Sequence, residues 1–169
     1  MPGSALLVID VQRELFAKPT PMHRAEALLD NINTLVERAH AAGAPVVYVQ
    51  HSSPKTIPLE SDGWQLHSAL VPTSADVMVR KTVGNSFEDT PLHAELKARG
   101  VDRVVITGCV THGCVKATCL GALELGYQTT LVADAHSSYS KDAARLIEEW
   151  NKKLAEAGAQ VIPAADVRF

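Results

Sequence analysis

No stretch of this sequence concentrates charge of one sign. Its sixteen Lys and Arg and nineteen Asp and Glu residues are interspersed, for a formal net charge of −3. Without a basic stripe there is no electrostatic footprint for a phosphate backbone, so nucleic acid is not an expected partner. No apolar run approaches the roughly 20 residues needed to cross a bilayer, which argues against a membrane partner. The first residues, Met1-Pro2-Gly3-Ser4, lead directly toward an apolar strand, with neither a basic n-region nor a long apolar h-region. Cysteines are few: three, an odd number, with no C-x-x-C spacing. Free thiols in a reducing compartment are therefore expected, and with them a cytoplasmic location. No repeat, low-complexity tract or linker divides the chain, so one domain over 1–169 is expected, long enough to bury a full core.

What the sequence does contain is an alternation of short β-rich runs and amphipathic segments. A continuous apolar run at 5–9 and short β-rich runs at 45–49, 76–81, 103–107 and 129–133 read as strands, with an edge strand at 159–162. Between the first two, Ala25, Leu28, Leu29, Ile32, Leu35, Val36 and Ala39 recur at helical spacing, and Gly43 stands where a helix ends. Further helices are predicted over 90–99, closed by Gly100, over 114–125, ended by Gly126, and over 141–157, burying Leu146, Ile147, Trp150 and Leu154. The stretch 51–70 is rich in turn formers and reads as a long loop. This rhythm predicts an α/β fold of three layers: a mostly parallel, six-stranded Rossmann-like sheet with helices on both faces.

In such a sheet, ligands bind outside the carboxyl ends of the strands. Asp10 ends the first strand, Lys81 ends the third, and the fourth runs through Gly108 into a loop that delivers Cys114 to the start of a helix. A thiol at a helix start faces unsatisfied N–H groups and the positive end of the helix dipole, which favours its thiolate. An aspartate near such a thiol can take its proton, and a lysine can hold the aspartate ionised. Taken singly, each residue has a plainer reading: a packed cysteine, a turn-capping aspartate, a solvated lysine. Cys109 and Cys119 read as structural.

Several segments resemble, in order, the isochorismatase-like, nicotinamidase-related cysteine hydrolases. They are Leu6-Leu7-Val8-Ile9-Asp10-Val11-Gln12, Lys81 followed by Asn85-Ser86-Phe87, Ile106-Thr107-Gly108, Cys114-Val115-Lys116-Ala117-Thr118, Gly126-Tyr127 and Asp134-Ala135-His136-Ser137. The resemblance implies the isochorismatase-like hydrolase fold and a catalytic triad of Asp10, Lys81 and Cys114. It also implies an oxyanion hole, for which the backbone N–H groups of Thr111 and Cys114 are the candidates, and a non-proline cis peptide, expected between Val110 and Thr111. Relatives of this kind commonly form dimers or tetramers, so a homodimer or homotetramer is expected.

Departures from the family pattern narrow the chemistry. Metal-binding nicotinamidases carry Asp-x-His after the second strand, whereas this chain has Tyr48-Val49-Gln50-His51. His51 and His67 alone make a poor ligand set, so neither a metal nor another cofactor is expected. The retained cysteine argues against vinyl-ether hydrolysis and for cleavage of a C–N bond. The expected activity is metal-independent hydrolysis of a small amide, ureido or carbamoyl compound through an acyl-enzyme on Cys114. Nicotinamidase activity proper and a catalytically silent, metabolite-binding relative are the alternatives. Leu15, Phe16, Trp64, Phe87 and His112 are candidates for the substrate pocket; for His51, His67 and His136 the sequence leaves contact with substrate open.

Overall fold

The computed structural model describes residues 3–169. Alternate residues of its apolar runs pack to opposite sides of a single sheet. The strands are β1 (Gly3–Ile9), β2 (Val46–His51), β3 (Val77–Lys81), β4 (Val101–Cys109), β5 (Gln128–Ser137) and β6 (Gln160–Ile162). All pair in parallel, in the order β3-β2-β1-β4-β5-β6. The sheet is thus wholly rather than mostly parallel. Its helices are α1 (Arg13–Phe16), α2 (Ala25–Ala41), α3 (Leu92–Ala98), α4 (Lys116–Glu124) and α5 (Ala143–Glu156).

One face carries Leu6, Val8, Val46, Tyr48, Val105 and Val132, and α2 covers it with Leu28, Ile32, Leu35, Val36 and Ala39. Ile32 and Leu35 are fully buried, and burial of such a side chain contributes roughly 1.5–3 kcal/mol. The opposite face carries Leu7, Ile9, Val47, Val49, Ile106 and Leu131, packed against α3 (Leu92, Leu96), α4 (Cys119, Ala122) and α5 (Leu154). On α5 only Ala143 and Leu154 are fully buried. Leu146, Ile147 and Trp150, expected inside, are half-buried, because α5 packs on β5 and the short edge strand β6, beyond which no strand follows.

The order of the strands positions the site. The chain winds outward from β1 through β2 to β3, then returns to the other side of β1 for β4, β5 and β6. The winding direction reverses between β1 and β4, and a crevice opens at such a reversal beyond the strand ends. β1 and β4 are held closely there. Gly108 pairs with Ile9 at φ +120°, and a Cβ on it would lie 2.0 Å from the Ile9 carbonyl oxygen. Only glycine fits.

Two elements run past their expected ends. β4 continues to Cys109 and β5 to Ser137, because β5 advances from Leu131 to His136 while β4 advances only from Ile106 to Gly108. The bulged strand regains register, so the pairing persists to Cys109 and Ser137. The 51–70 loop contains no helix; isolated bridges tie it at Gln12–Leu66 and Ser53–Ile57.

Candidate active site

Three strand ends deliver the polar groups. The residue after β1, Asp10, leaves the strand with φ 51°, a left-handed conformation that aspartate tolerates better than most residues. Its side chain turns into the crevice and is buried. Lys81, the last residue of β3, is equally buried, and its Nζ lies 2.9 Å from Asp10 Oδ2. The same ammonium lies 3.2 Å from Cys114 Sγ, 3.1 Å from His51 Nδ1 and 3.1 Å from the Val83 carbonyl oxygen. Lys81 is therefore the hub that brings Asp10 and Cys114 together.

Cys114 does not sit in the first regular turn of α4. It belongs to a wide turn, Thr111–Val115, in which Gly113 has non-helical dihedrals (φ −117°, ψ −111°). The cis peptide precedes this turn between Cys109 and Val110, one bond earlier than expected, where the chain leaves the end of β4. Gly113 and Val115 both donate to the Val110 carbonyl, at 3.0 and 3.3 Å.

The electrostatics differ from those expected of a helix-start thiol. Burial, and then the adjacent Asp10 carboxylate, push the Cys114 thiol up to about 12, against the opposing pull of Lys81. Burial also raises Asp10 above its ordinary range, although Lys81 lies against it. Desolvation outweighs any helix-terminus contribution and favours the protonated thiol. Asp10 Oδ1 is buried without a hydrogen-bond partner, leaving an acceptor on the carboxylate.

The loop after Lys81 is tied to α4. Ser86 N donates to Thr118 Oγ1 at 3.0 Å, the two hydroxyls lie 2.8 Å apart, and Thr90 Oγ1 donates to the Ser86 carbonyl at 2.6 Å. Asn85 fills the space over Gly121, where a Cβ would lie 2.5 Å from its amide. The motif pieces around Asn85 and Thr118 thus anchor the segment that follows Lys81.

His51 joins this group although sequence reasoning left its role open. It is the register partner of Lys81 across β2 and β3, and paired residues on neighbouring strands present side chains to the same side. That pairing is the signal that would have found it. Burial, and then Lys81, hold its imidazole below the usual range, so it stays neutral and accepts from the ammonium. Its main chain is held by Gln12, which is fully buried. Gln12 Nε2 donates to the His51 carbonyl at 2.9 Å, and Gln12 Oε1 accepts from the His51 N–H at 2.9 Å.

Donor atoms of Asp10, His51 and Cys114 lie within 4.8 Å of one another, the arrangement of a metal ligand set. Each of the three nevertheless hydrogen-bonds the Lys81 ammonium, which supplies the positive charge they share.

A cavity of about 250 Å³ opens over the group, lined by Asp10, Leu15, Lys18, His51, Thr56, Ile57, Val110, Cys114 and Tyr139. Of the expected wall residues only Leu15 lines it. Phe16 packs against His67 with ring centroids 4.6 Å apart. Trp64 is buried, its carbonyl accepting from Gln12 and Gln50 and its ring covered by the Arg80 guanidinium. Phe87 stacks on Tyr127 in the core at 5.5 Å, and His112 is half-buried in the turn, outside the lining. Lys18, Thr56, Ile57 and Tyr139 had no sequence signal, since they come from loops and a short helical flank without periodicity.

The fold and much of the sequence recur in known proteins. The family model described as Isochorismatase domain matches residues 4–166. A streptothricin hydrolase from Streptomyces noursei is 39% identical over 142 residues, covering 83% of this chain and 51% of that protein. The chain thus spans about half the length of that relative. Among solved structures, an isochorismatase family protein superposes with a TM-score of 0.89 at 30% identity, covering 94% of this chain and 97% of the other. The N-carbamoylsarcosine amidase from Thermoplasma acidophilum gives 0.87 at 26% identity and covers 99% of each chain.

Proposed function

The chain belongs to the isochorismatase family, and we propose that it is a metal-independent cysteine amidohydrolase that cleaves an amide, ureido or carbamoyl C–N bond of a small molecule. One observation carries the reading: Lys81 Nζ lies within hydrogen-bond distance of both Asp10 and Cys114, and these two line a cavity of substrate size. The similarity to an enzyme named for streptothricin hydrolysis and to one named as a carbamoyl amidase supports C–N bonds as the target.

In the proposed reaction the resting site holds one proton on the Asp10–Cys114 pair, as a thiol beside a carboxylate. Asp10 takes that proton as sulfur bonds the substrate carbonyl carbon, and the π pair moves to oxygen. The backbone N–H of Cys114 and, in place of the wholly buried Thr111, that of Val110, which lines the cavity, hold the oxyanion. Collapse breaks the C–N bond, and Asp10 passes its proton to the departing nitrogen, releasing ammonia or an amine. A water, deprotonated by Asp10, then hydrolyses the acyl-enzyme and restores the thiol. The raised Asp10 suits this role, since a base closer to the affinity of the thiol it serves moves a proton at less cost. Lys81 holds the negative charge of the pair throughout.

The test is ammonia release from a panel of small primary amides, ureido and carbamoyl compounds, nicotinamide included, with wild type and Cys114→Ala, in the presence and absence of chelator. Turnover that survives chelation and vanishes in the variant is the expected result. No turnover on any compound, with Cys114 inert to small electrophiles, would instead identify a binding protein.

A further inference from the structure

Charge is unevenly spread around the cavity over Cys114. Beside the sulfur, burial favours the protonated thiol and the neutral His51 imidazole, and Asp10 and Lys81 balance each other. The rest of the lining is Leu15, Thr56, Ile57, Val110 and Tyr139, with one further charged group, Lys18. That ammonium is held in place. Its Nζ lies 2.8 Å from Glu14 Oε1 and 6.0 Å from the centroid of the Tyr139 ring, and its side chain is only 26% exposed. Glu14 is fixed in turn, because its N–H donates to the Gly63 carbonyl at 3.0 Å. Glu14 does not line the cavity, whereas Lys18 and Tyr139 both do, so the ion pair presents its positive member to the cavity. Glu14 also occupies only one of the N–H donors of the ammonium, which leaves donors for a second acceptor.

We propose that Lys18 is a specificity-determining residue, and that the substrate is an amide, ureido or carbamoyl compound carrying one carboxylate away from its scissile C–N bond. The inference rests on the reading of Cys114 as an amidase nucleophile. A carboxylate in the cavity meets an ammonium among apolar side chains, which screen the attraction less than water does. A substrate with an ammonium group has no equivalent partner, since the carboxylate on the lining, Asp10, already holds Lys81. A phosphate monoester would bring a second negative charge toward Glu14, and a carboxylate does not.

The experiment reads charge preference at Cys114 in the full chain by two routes. The first is the ratio of kcat/KM for ammonia release from succinamate and from isocaproamide, its uncharged isostere. The second is the ratio of labelling rates with maleimidopropionate and N-isoamylmaleimide, whose ring double bond adds the thiol in the same way. Labelling rates are divided by those of mercaptoethanol, and Cys114→Ala supplies the background from the other thiols. Wild type should prefer the carboxylate by both routes. Lys18→Met, which keeps the apolar stem, should lower both preferences about fivefold, the scale of a partly exposed ion pair, and Lys18→Glu should reverse them. Glu14→Gln should raise them by about twofold, because the ammonium is released from its partner. If neither amide is hydrolysed, the labelling ratio decides alone. No carboxylate preference in wild type, or one unchanged in Lys18→Met, would overturn the inference and leave the amidase reading standing. Cys114 inert to both maleimides, with no ammonia from any amide, would remove the amidase reading and this inference with it.

Discussion

His51 and Lys81 stand opposite each other across β2 and β3, and their side chains meet, with Nδ1 3.1 Å from Nζ. The imidazole is an acceptor for the ammonium only while neutral. A proton on it would place like charges in contact. Because burial and Lys81 keep His51 below its ordinary range, it remains neutral to lower pH than a free histidine. The kcat/KM of the wild type should therefore hold level down to about pH 6.5 and fall below it. His51→Asn, which keeps an acceptor but cannot titrate, should lose the steepest part of that acid limb. A pH–rate profile with an inflexion above about 7, unchanged in His51→Asn, would show that the imidazole plays no such part.

Removing either charge beside the sulfur should move its reactivity in opposite directions. Asp10 raises the Cys114 thiol and Lys81 lowers it. Iodoacetamide alkylation at pH 8 should thus be faster in Asp10→Asn and slower in Lys81→Met, although both variants lose hydrolysis. In wild type the rate should still be climbing past about pH 9, above the ordinary thiol range. Equal rates in all three proteins would mean that neither charge reaches the sulfur.

Gly108→Ala should be the most damaging small change in the sheet. Its Cβ would meet the Ile9 carbonyl oxygen at 2.0 Å, in a backbone conformation closed to alanine. A loss of about 3 kcal/mol or more is expected, read as a lower urea midpoint. A midpoint within error of wild type would show that β1 and β4 separate without penalty.

Thr118→Val keeps the shape of the side chain and removes the acceptor for the Ser86 N–H and its hydroxyl partner. Leaving those buried groups unpaired should cost about 1–3 kcal/mol. Because the loop they anchor follows Lys81, kcat should fall as well. Ser86→Ala should cost less, since its backbone N–H still finds Thr118. Thermal unfolding and steady-state kinetics on the two variants check both statements, and a larger loss in Ser86→Ala would reverse the assignment.

The strands, the helices and the rim positions of Asp10, Lys81 and Cys114 were legible because each depends on short-range pattern: apolar runs, 3.6-residue spacing, and motifs at strand ends. His51 escaped because its place depends on strand register, which no local pattern specifies. The walls of the cavity escaped for a related reason. Thr56 and Ile57 reach it from the 51–70 loop, and Tyr139 from beyond β5, through contacts between segments far apart in the chain. The aromatic candidates failed on packing: Phe87 and Trp64 fill interior volume instead of facing the cavity. The expected thiolate at Cys114 failed on solvation, since burial outweighs the attraction of a helix terminus.

The Gln12 side chain behaves as backbone. Its amide both donates to and accepts from the main chain of His51, as a residue in a β-ladder would. It acts as a grafted peptide unit, adding one rung to the β1–β2 ladder after the main chain of β1 has turned away at Asp10. The carboxylate is thereby free to turn into the crevice while the main chain of His51 stays held in the sheet. A glutamate at position 12 has the same length but no donor, so it would break this rung without altering any group that touches substrate.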